Sequence, residues 1–447
     1  MSGFRSKFDS LGEVMTPYSA LWGCTTARAK NNFKIGSEKM PLQIVYALVK
    51  IKQASANVNH ELGLLDVERR NAIVKAADEI LNGEHDDHFP LPVWQTGSGT
   101  ATNMNVNEVI ATLCEQNGIE THPNEHVNLG QSSNDTFSAA LHIACFEFFN
   151  DHFRAPVLKL VESFQSFKDE FGDVVKIGRT HLMDATPLTI GNEVSAWIEA
   201  IKRQLTAIES SANDMKLLAL GGTAVGSGIN THPDFGAKVC RILGFEQDTN
   251  LYYQISNKDT LARFSSALEV LSLSLIKIAN DIRWYASGPR CGISELSIPA
   301  NEPGSSIMPG KVNPTQIEAL TQVCAQVIGN NATVKFAASQ SNFQLNTYMP
   351  LIGYNVLQSE RLLADAISSF DKHLVQGLKV NADIVKKHLE ASLMLVTALV
   401  PLIGYDLSAK ISQEAHLSGR SLKEVALEMT ELSEAELDRA LDAHSML

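Results

Sequence analysis

The sequence predicts a mainly all-α protein built around a long helical bundle, and three observations carry that reading. Apolar residues recur at spacings of three and four through the middle of the chain. The 447 residues are 44% hydrophobic and 19% charged, the composition of a chain that buries a sizeable core. Pro17, Pro41, Pro90, Pro92 and Gly97-Ser98-Gly99 punctuate the first 130 residues, and long periodic stretches follow.

In chain order, residues 1–131 are punctuated by Pro17, Pro41, Pro90, Pro92 and Gly97-Ser98-Gly99, and read as a smaller, mainly helical domain. The central part, 132–382, carries the stripes. They are Phe137, Leu141, Ala144 and Phe148; Ile190, Val194, Trp197 and Ile201; and Phe264, Leu268, Leu271, Leu275, Ile278 and Ile282. Two more follow: Ile317, Leu320, Cys324, Val327 and Val334, with polar Asn331 in the remaining position, and Leu363, Ile367, Phe370 and Leu374. Each is a heptad-like seam, and several segments show more than one apolar face, so the bundle is expected to pack against other subunits as well as itself. The last part, 383–447, has shorter helical patterns at Ser421–Met429 and Ser433–Leu441. In the second, Ser433 and Glu436 fit a capping box, each side chain satisfying a free amide of the other residue.

With 37 basic against 50 acidic residues the formal charge is −13, and no cluster of cations offers a nucleic acid its counterion-release footing. Six cysteines, at 24, 114, 145, 240, 291 and 324, form no CxxC pair, so neither a disulfide framework nor a zinc ribbon is indicated and a reducing cytoplasm is expected. The first residues lack an apolar run before a small-residue cleavage site, so export is not expected. Leu393–Tyr405 is too short to span a bilayer and is broken by Pro401; it reads as a buried segment, and no membrane partner is expected.

Polar, glycine- and asparagine-rich stretches interrupt this apolar chain. Thr96-Gly-Ser-Gly-Thr100 runs into Asn103-Met-Asn105, offering hydroxyls and amides with few charges; the same residues also suit a capped helix start. His122-Pro-Asn-Glu-His126 places two histidines four apart, but Pro123 and the lack of a third ligand argue against a metal. Ser132, Ser133 and Asn134 head the Phe137 helix, where free amides attract an anion or simply receive an ordinary cap. Gly178-Arg-Thr-His181 sets a histidine beside Thr180, and imidazole is the commonest acid or base near neutral pH. Gly221–Gly228 is glycine-rich and reads as a tight connection. Gly304-Ser-Ser-Ile-Met-Pro-Gly-Lys-Val-Asn-Pro314 is the most unusual stretch: a hinged loop with paired serines, one lysine and an asparagine ahead of the Ile317 helix, suited to closing over a carboxylate. Val312 follows Lys311, so the loop is not a P-loop.

The 304–314 loop, with Ser98-Gly-Thr100, Asn103-Met-Asn105, His122-Pro-Asn124, Ser132–Asp135, Gly178–His181 and Leu393–Asp406, resembles the class II, iron-independent fumarate hydratases of the fumarase/aspartase superfamily along nearly the whole chain. His181 in Gly178-Arg-Thr-His, and Lys311–Glu318 reading KVNPTQIE, resemble the hydratases rather than the ammonia lyases. The resemblance implies a three-domain, mainly helical fold and a homotetramer whose active sites draw on three chains. It further implies reversible trans hydration of fumarate to (S)-malate in the tricarboxylic acid cycle, without metal or organic cofactor. Ser305 would be the base that removes the C3 proton. His181, supported by Glu318, would manage the departing hydroxyl, and Lys311 would stabilise the aci-carboxylate. Ser98, Thr100, Ser132, Ser133, Asn134, Thr180, Ser306 and Asn313 would hold the two carboxylates. A second dicarboxylate site would fall at His122, Pro123, Asn124 and Glu125, where Glu125 replaces the family's usual Asp and no arginine closely precedes His122. A second departure is Gln254–Thr260, where the hydratases more often resemble APNKFEA. The alternatives are an ammonia lyase, a hydratase of a substituted fumarate such as mesaconate, or a catalytically silent structural protein on the same fold.

Overall fold

The computed structural model describes residues 3–447. Long α-helices dominate, among them Leu42–Glu61, Ile190–Asp214, Asp259–Tyr285, Thr315–Ala338 and Met349–His373, and the β structure is confined to two-stranded ribbons. Of the apolar residues on the five stripes all but Phe148 are buried, with Phe264, Leu268, Leu271, Val327, Leu363 and Ile367 at 0% exposure; Asn331 is at 0% too. Removing a leucine, isoleucine or phenylalanine side chain from water contributes roughly 1.5–3 kcal/mol, so the seams outweigh any helix propensity. Phe148 is half-buried, because the helix gives way there to a wider turn at Phe149–Phe153.

The described residues form two compact units. The first comprises the chain up to Ala155 with Gln204–Ser272 and Cys324–Ala364. Inside it, helix Leu42–Glu61 packs against helices Val67–Leu81, Thr100–Gln116, Ser133–Phe148 and Phe235–Leu243. That central helix is buried over most of its surface, and buries even Lys52. The unit opens with a hairpin, Phe4–Asp9 against Gly12–Pro17, inside what the sequence presents as a helical domain. Its six-residue strands are too short to compete with the helical pattern around them. Helix Cys24–Asn32 has no cap of its own. Glu108 supplies one from a distance, accepting hydrogen bonds from the Gly23, Thr25 and Thr26 amides at 2.8–3.2 Å and from the Thr26 hydroxyl at 2.6 Å.

The second unit comprises Pro156–Arg203, Leu273–Val323 and Asp365–Leu447. A hairpin, Val175–Thr180 against Met183–Thr189, packs on helix Ala382–Ala391. The C-terminal helices close over Leu399, Ile411, Val425, Ala426 and Leu437. Ser433 and Glu436 form the expected capping box, and Ser421 with Glu424 forms another. Leu393–Tyr405 departs from the buried segment expected of it. It is a 3-10 turn followed by one helical turn, with Leu395, Val396 and Leu399 inward and Leu402 and Tyr405 56% and 74% exposed. No helix of the described residues is long and apolar enough to cross a membrane.

Candidate active site

In the first unit the hydroxyl and amide residues meet at the N-termini of two helices. Gly99, at φ 73°, leads into helix Thr100–Gln116; a β-carbon there would lie 2.3 Å from the Phe137 ring, so only glycine permits this approach. The Ser98 and Thr100 hydroxyls are hydrogen-bonded at 2.8 Å. Helix Ser133–Phe148 starts at a full capping box: Ser132 Oγ accepts from the Asn134 amide, and Asp135 accepts from the Ser132 amide at 3.0 Å. The Asn134 side chain donates to the Ala224 carbonyl at 2.8 Å, and Asp135 also accepts from the Gly221 and Thr223 amides. The glycine-rich connection is thereby tied to the serine-rich helix start.

Behind this start lies a buried polar network that the sequence does not announce. Lys52, fully buried, donates to Asn128 Oδ1 at 2.8 Å and Gln131 Oε1 at 2.9 Å. Asn103 and Asn107 donate to the same Asn128 oxygen at 3.2 Å, and Asn103 also donates to Ser133 Oγ at 3.0 Å. Burial pulls the Lys52 ammonium down to about 7, with Asp135 opposing the shift; burial pushes Asp135 up to about 7 against the pull of three backbone amides and Lys52. The departure at Gln254–Thr260 is a closed structural unit: buried Lys258 donates to Ser138 Oγ and to the carbonyls of Gln254, Ile255 and Asn257 at 2.8–3.0 Å, finishing helix Leu251–Ser256.

The His122 segment belongs to the same unit. His122 Nδ1 accepts from the Asn124 and Glu125 amides at 3.2 and 3.1 Å, and His126 Nδ1 accepts from the His122 amide at 2.8 Å, so both imidazoles cap a wide turn at Pro123–Val127. His122, Pro123 and Asn124 line an open cavity of about 820 Å³ with Lys7, Arg28 and Glu108; Glu125 stands outside that lining.

The second unit holds the candidates His181, Ser305, Lys311 and Glu318. Thr180 ends one strand of the Val175–Thr189 hairpin, and His181 and Leu182 form its two-residue turn, both with positive φ, 56° and 61°. Such a turn usually takes Asn-Gly or Gly-Gly, and two side chains with Cβ held there store roughly 1–3 kcal/mol each. What holds it is a buried ion network under the strand. Arg179 donates twice to Glu295, at 2.6 and 3.1 Å, and Lys176 lies 3.0 Å from Glu193 and 3.5 Å from Glu295. Tyr285 donates to Glu193 at 2.6 Å with Lys176 Nζ 3.7 Å above its ring centre, and His388 Nδ1 is 3.0 Å from Glu295. Burial alone pulls the Glu295 carboxyl up, but Arg179, Lys176 and His388 together hold it below the usual carboxylate range. His181 itself is exposed and has no hydrogen-bond partner among the described residues of this chain.

The 304–314 loop closes on itself: the Gly304 amide donates to the Lys311 carbonyl at 2.9 Å and the Asn313 side chain to the Gly304 carbonyl at 2.5 Å. Within this ring, Ser305 Oγ accepts from the amides of Met308 at 3.0 Å and Ile307 at 3.3 Å. Two amides aimed at one hydroxyl oxygen favour its anionic form, as at an oxyanion hole. Ser306 and Lys311 stand exposed, and Glu318, on the first turn of helix Thr315–Ala338, has Arg283 at 3.7 Å. The His181–Glu318 contact expected from the sequence is therefore not made within one chain.

The fold is mainly helical, with hydroxyl-rich helix starts and a serine–lysine loop, and its class is given by comparison: residues 12–329 match the family described as "Lyase", and residues 395–447 match "Fumarase C C-terminus". Class II fumarate hydratases of Halalkalibacterium halodurans and Bacillus cereus are 50% and 49% identical to this chain, each over 99% of it and 98% and 99% of theirs. A solved class II fumarase of Schistosoma mansoni superposes with a TM-score of 0.97 at 39% identity, covering 99% of both chains. The chain belongs to the class II fumarate hydratase family.

Proposed function

We propose that the protein interconverts fumarate and (S)-malate by trans addition and elimination of water, as a homotetramer in the cytoplasm. The observation that carries this reading is Ser305, whose oxygen already receives two backbone amides in a loop that also bears Lys311. A serine hydroxyl is a poor base in water; amides and a nearby ammonium lower the cost of its alkoxide once the loop closes over substrate. Ser305 then removes the C3 proton of malate. Negative charge spreads into the adjoining carboxylate, where Lys311 and Asn313 meet more charge than in the ground state. His181 donates to the departing hydroxyl, with Glu318 bracing the other ring nitrogen. Ser98, Thr100, Ser132, Ser133, Asn134, Thr180 and Ser306 hold the carboxylates through neutral donors.

We further propose that three chains complete each site, which is how an exposed His181 on one chain reaches a Glu318 on another. Exposed apolar residues on the central helices, Val270, Leu273 and Phe336 at 42%, 51% and 61%, support association. His122, Pro123, Asn124 and Glu125 are kept as a candidate peripheral dicarboxylate site. Purified, chelator-treated protein should consume fumarate as its ultraviolet absorbance falls, run as a tetramer in solution, and leave aspartate nearly untouched. Ammonia release from aspartate, or faster turnover of mesaconate, would overturn the substrate assignment, and an inert tetramer would overturn the activity.

A further inference from the structure

We propose that Lys52 is a positioning residue: it sets the direction of the hydrogen bonds behind Ser132–Asn134, so that the Ser133 hydroxyl is left as a donor to a substrate carboxylate. The proposal rests on Ser133 being a substrate ligand. Lys52 Nζ meets two side-chain oxygens and is fully buried, so at both contacts it donates. That obliges Asn128 to turn its oxygen toward the lysine, which sends its own amide nitrogen to the Gln131 carbonyl at 3.1 Å. With an oxygen fixed there, Asn103 and Asn107 both present nitrogen to it. The second N–H of Asn103 then falls on Ser133 Oγ, while its oxygen faces the Thr136 hydroxyl. A hydroxyl whose oxygen accepts has its proton free, and among the described residues Ser133 has no acceptor for it.

Without the lysine the alternative orientation becomes available. Asn128 can turn over, Asn103 follows, and an amide oxygen then faces Ser133 and takes its proton inward. The cradle keeps its shape and loses a donor. An amide that can flip has two orientations of similar energy, and one buried amine is enough to choose between them.

The test is a double-mutant cycle on the full-length enzyme with fumarate as substrate. Ser133→Ala is expected to raise KM about tenfold, the cost of one hydrogen bond to a charged group. Lys52→Met should raise KM by a similar factor with kcat changed less than about threefold, and Lys52→Met in the Ser133→Ala background should add little. Multiplying KM effects, or a KM unchanged in Lys52→Met, would overturn the proposal while leaving the functional reading intact. A KM indifferent to Ser133→Ala would overturn the proposal together with Ser133 as a substrate ligand, while the reading carried by Ser305 would stand. Should Lys52→Met not fold, Asn103→Asp replaces the donor to Ser133 with an oxygen of the same shape. It should raise KM likewise and lose that effect in the Ser133→Ala background; an unchanged KM, or one that multiplies with Ser133→Ala, counts against the proposal. A purely structural lysine would instead lower Tm and kcat in both backgrounds.

Discussion

The hydroxyl cradle of the first unit and the hairpin and loop of the second are built on opposite principles. The cradle uses neutral donors at two helix starts, backed by amides, with the buried Lys52 amine hidden behind them. The hairpin puts an imidazole on an exposed turn above a hidden ion network, and the loop puts an ammonium on an exposed segment held by its own hydrogen bonds. Neutral donors can be fixed in place without desolvating an ion, so they suit recognition of a dicarboxylate. On the proposed mechanism His181 must change protonation during turnover, and in this chain it stands exposed to water. The contrast leads to a division of phenotype: the first unit should govern KM and the second kcat.

Ser305→Ala tests the second half most directly. We expect kcat to fall by 10³-fold or more in the fumarate absorbance assay, as for loss of a general base, with Tm unchanged because the loop is exposed. Glu295→Gln probes the hidden network. Three cationic or ionisable side chains, from Arg179, Lys176 and His388, would lose their shared carboxylate, so calorimetry should show a loss of about 3 kcal/mol and kcat should fall more than KM rises.

His142 sharpens the comparison from the other side, since it lies buried on the Ser133 helix. Its Nδ1 donates to the Leu217 carbonyl at 3.0 Å, and burial pulls its pKa down from 6.5 to about 4. The folded chain therefore binds fewer protons than the unfolded one between those values. The stability from this group is fully present above pH 6.5 and is lost as pH falls toward 4, by up to about 3 kcal/mol. Chemical denaturation across that range should show the slope, and His142→Gln should flatten it. The smallest effect is expected at Ser132→Ala: about 1 kcal/mol of helix cap, with KM raised roughly tenfold and kcat preserved. A large kcat loss there would dissolve the division between the units.

Much of this was readable in the chain. The stripes from Phe137 to Leu374 announced their helices because burial on one face leaves a period that survives any particular neighbour. The polar loops stood out as interruptions of that period, and Ser305, Lys311 and Ser132–Asn134 do lie at helix starts or in a hinged loop. What stayed hidden depends on partners far apart in sequence. Lys52 looks like an ordinary solvated lysine on an amphipathic helix, and only Asn103 and Asn128 reveal its role. Glu108 caps a helix more than eighty residues before it. The His181–Leu182 turn has none of the residues such turns favour, so its hairpin leaves no local signal; its stability comes from Glu295 and His388 instead.

That hairpin also limits how the chain can vary. A strand turns alternate side chains to opposite faces, and the pairing already slips between Ile177 and Arg179. Inserting or deleting a single residue between Val175 and Thr180 would roll Arg179 out of its carboxylate clasp and swing the imidazole to the wrong side. Substitutions along this ribbon are open to drift, whereas its length is not, and related chains of altered function should differ here in residues and not in their number.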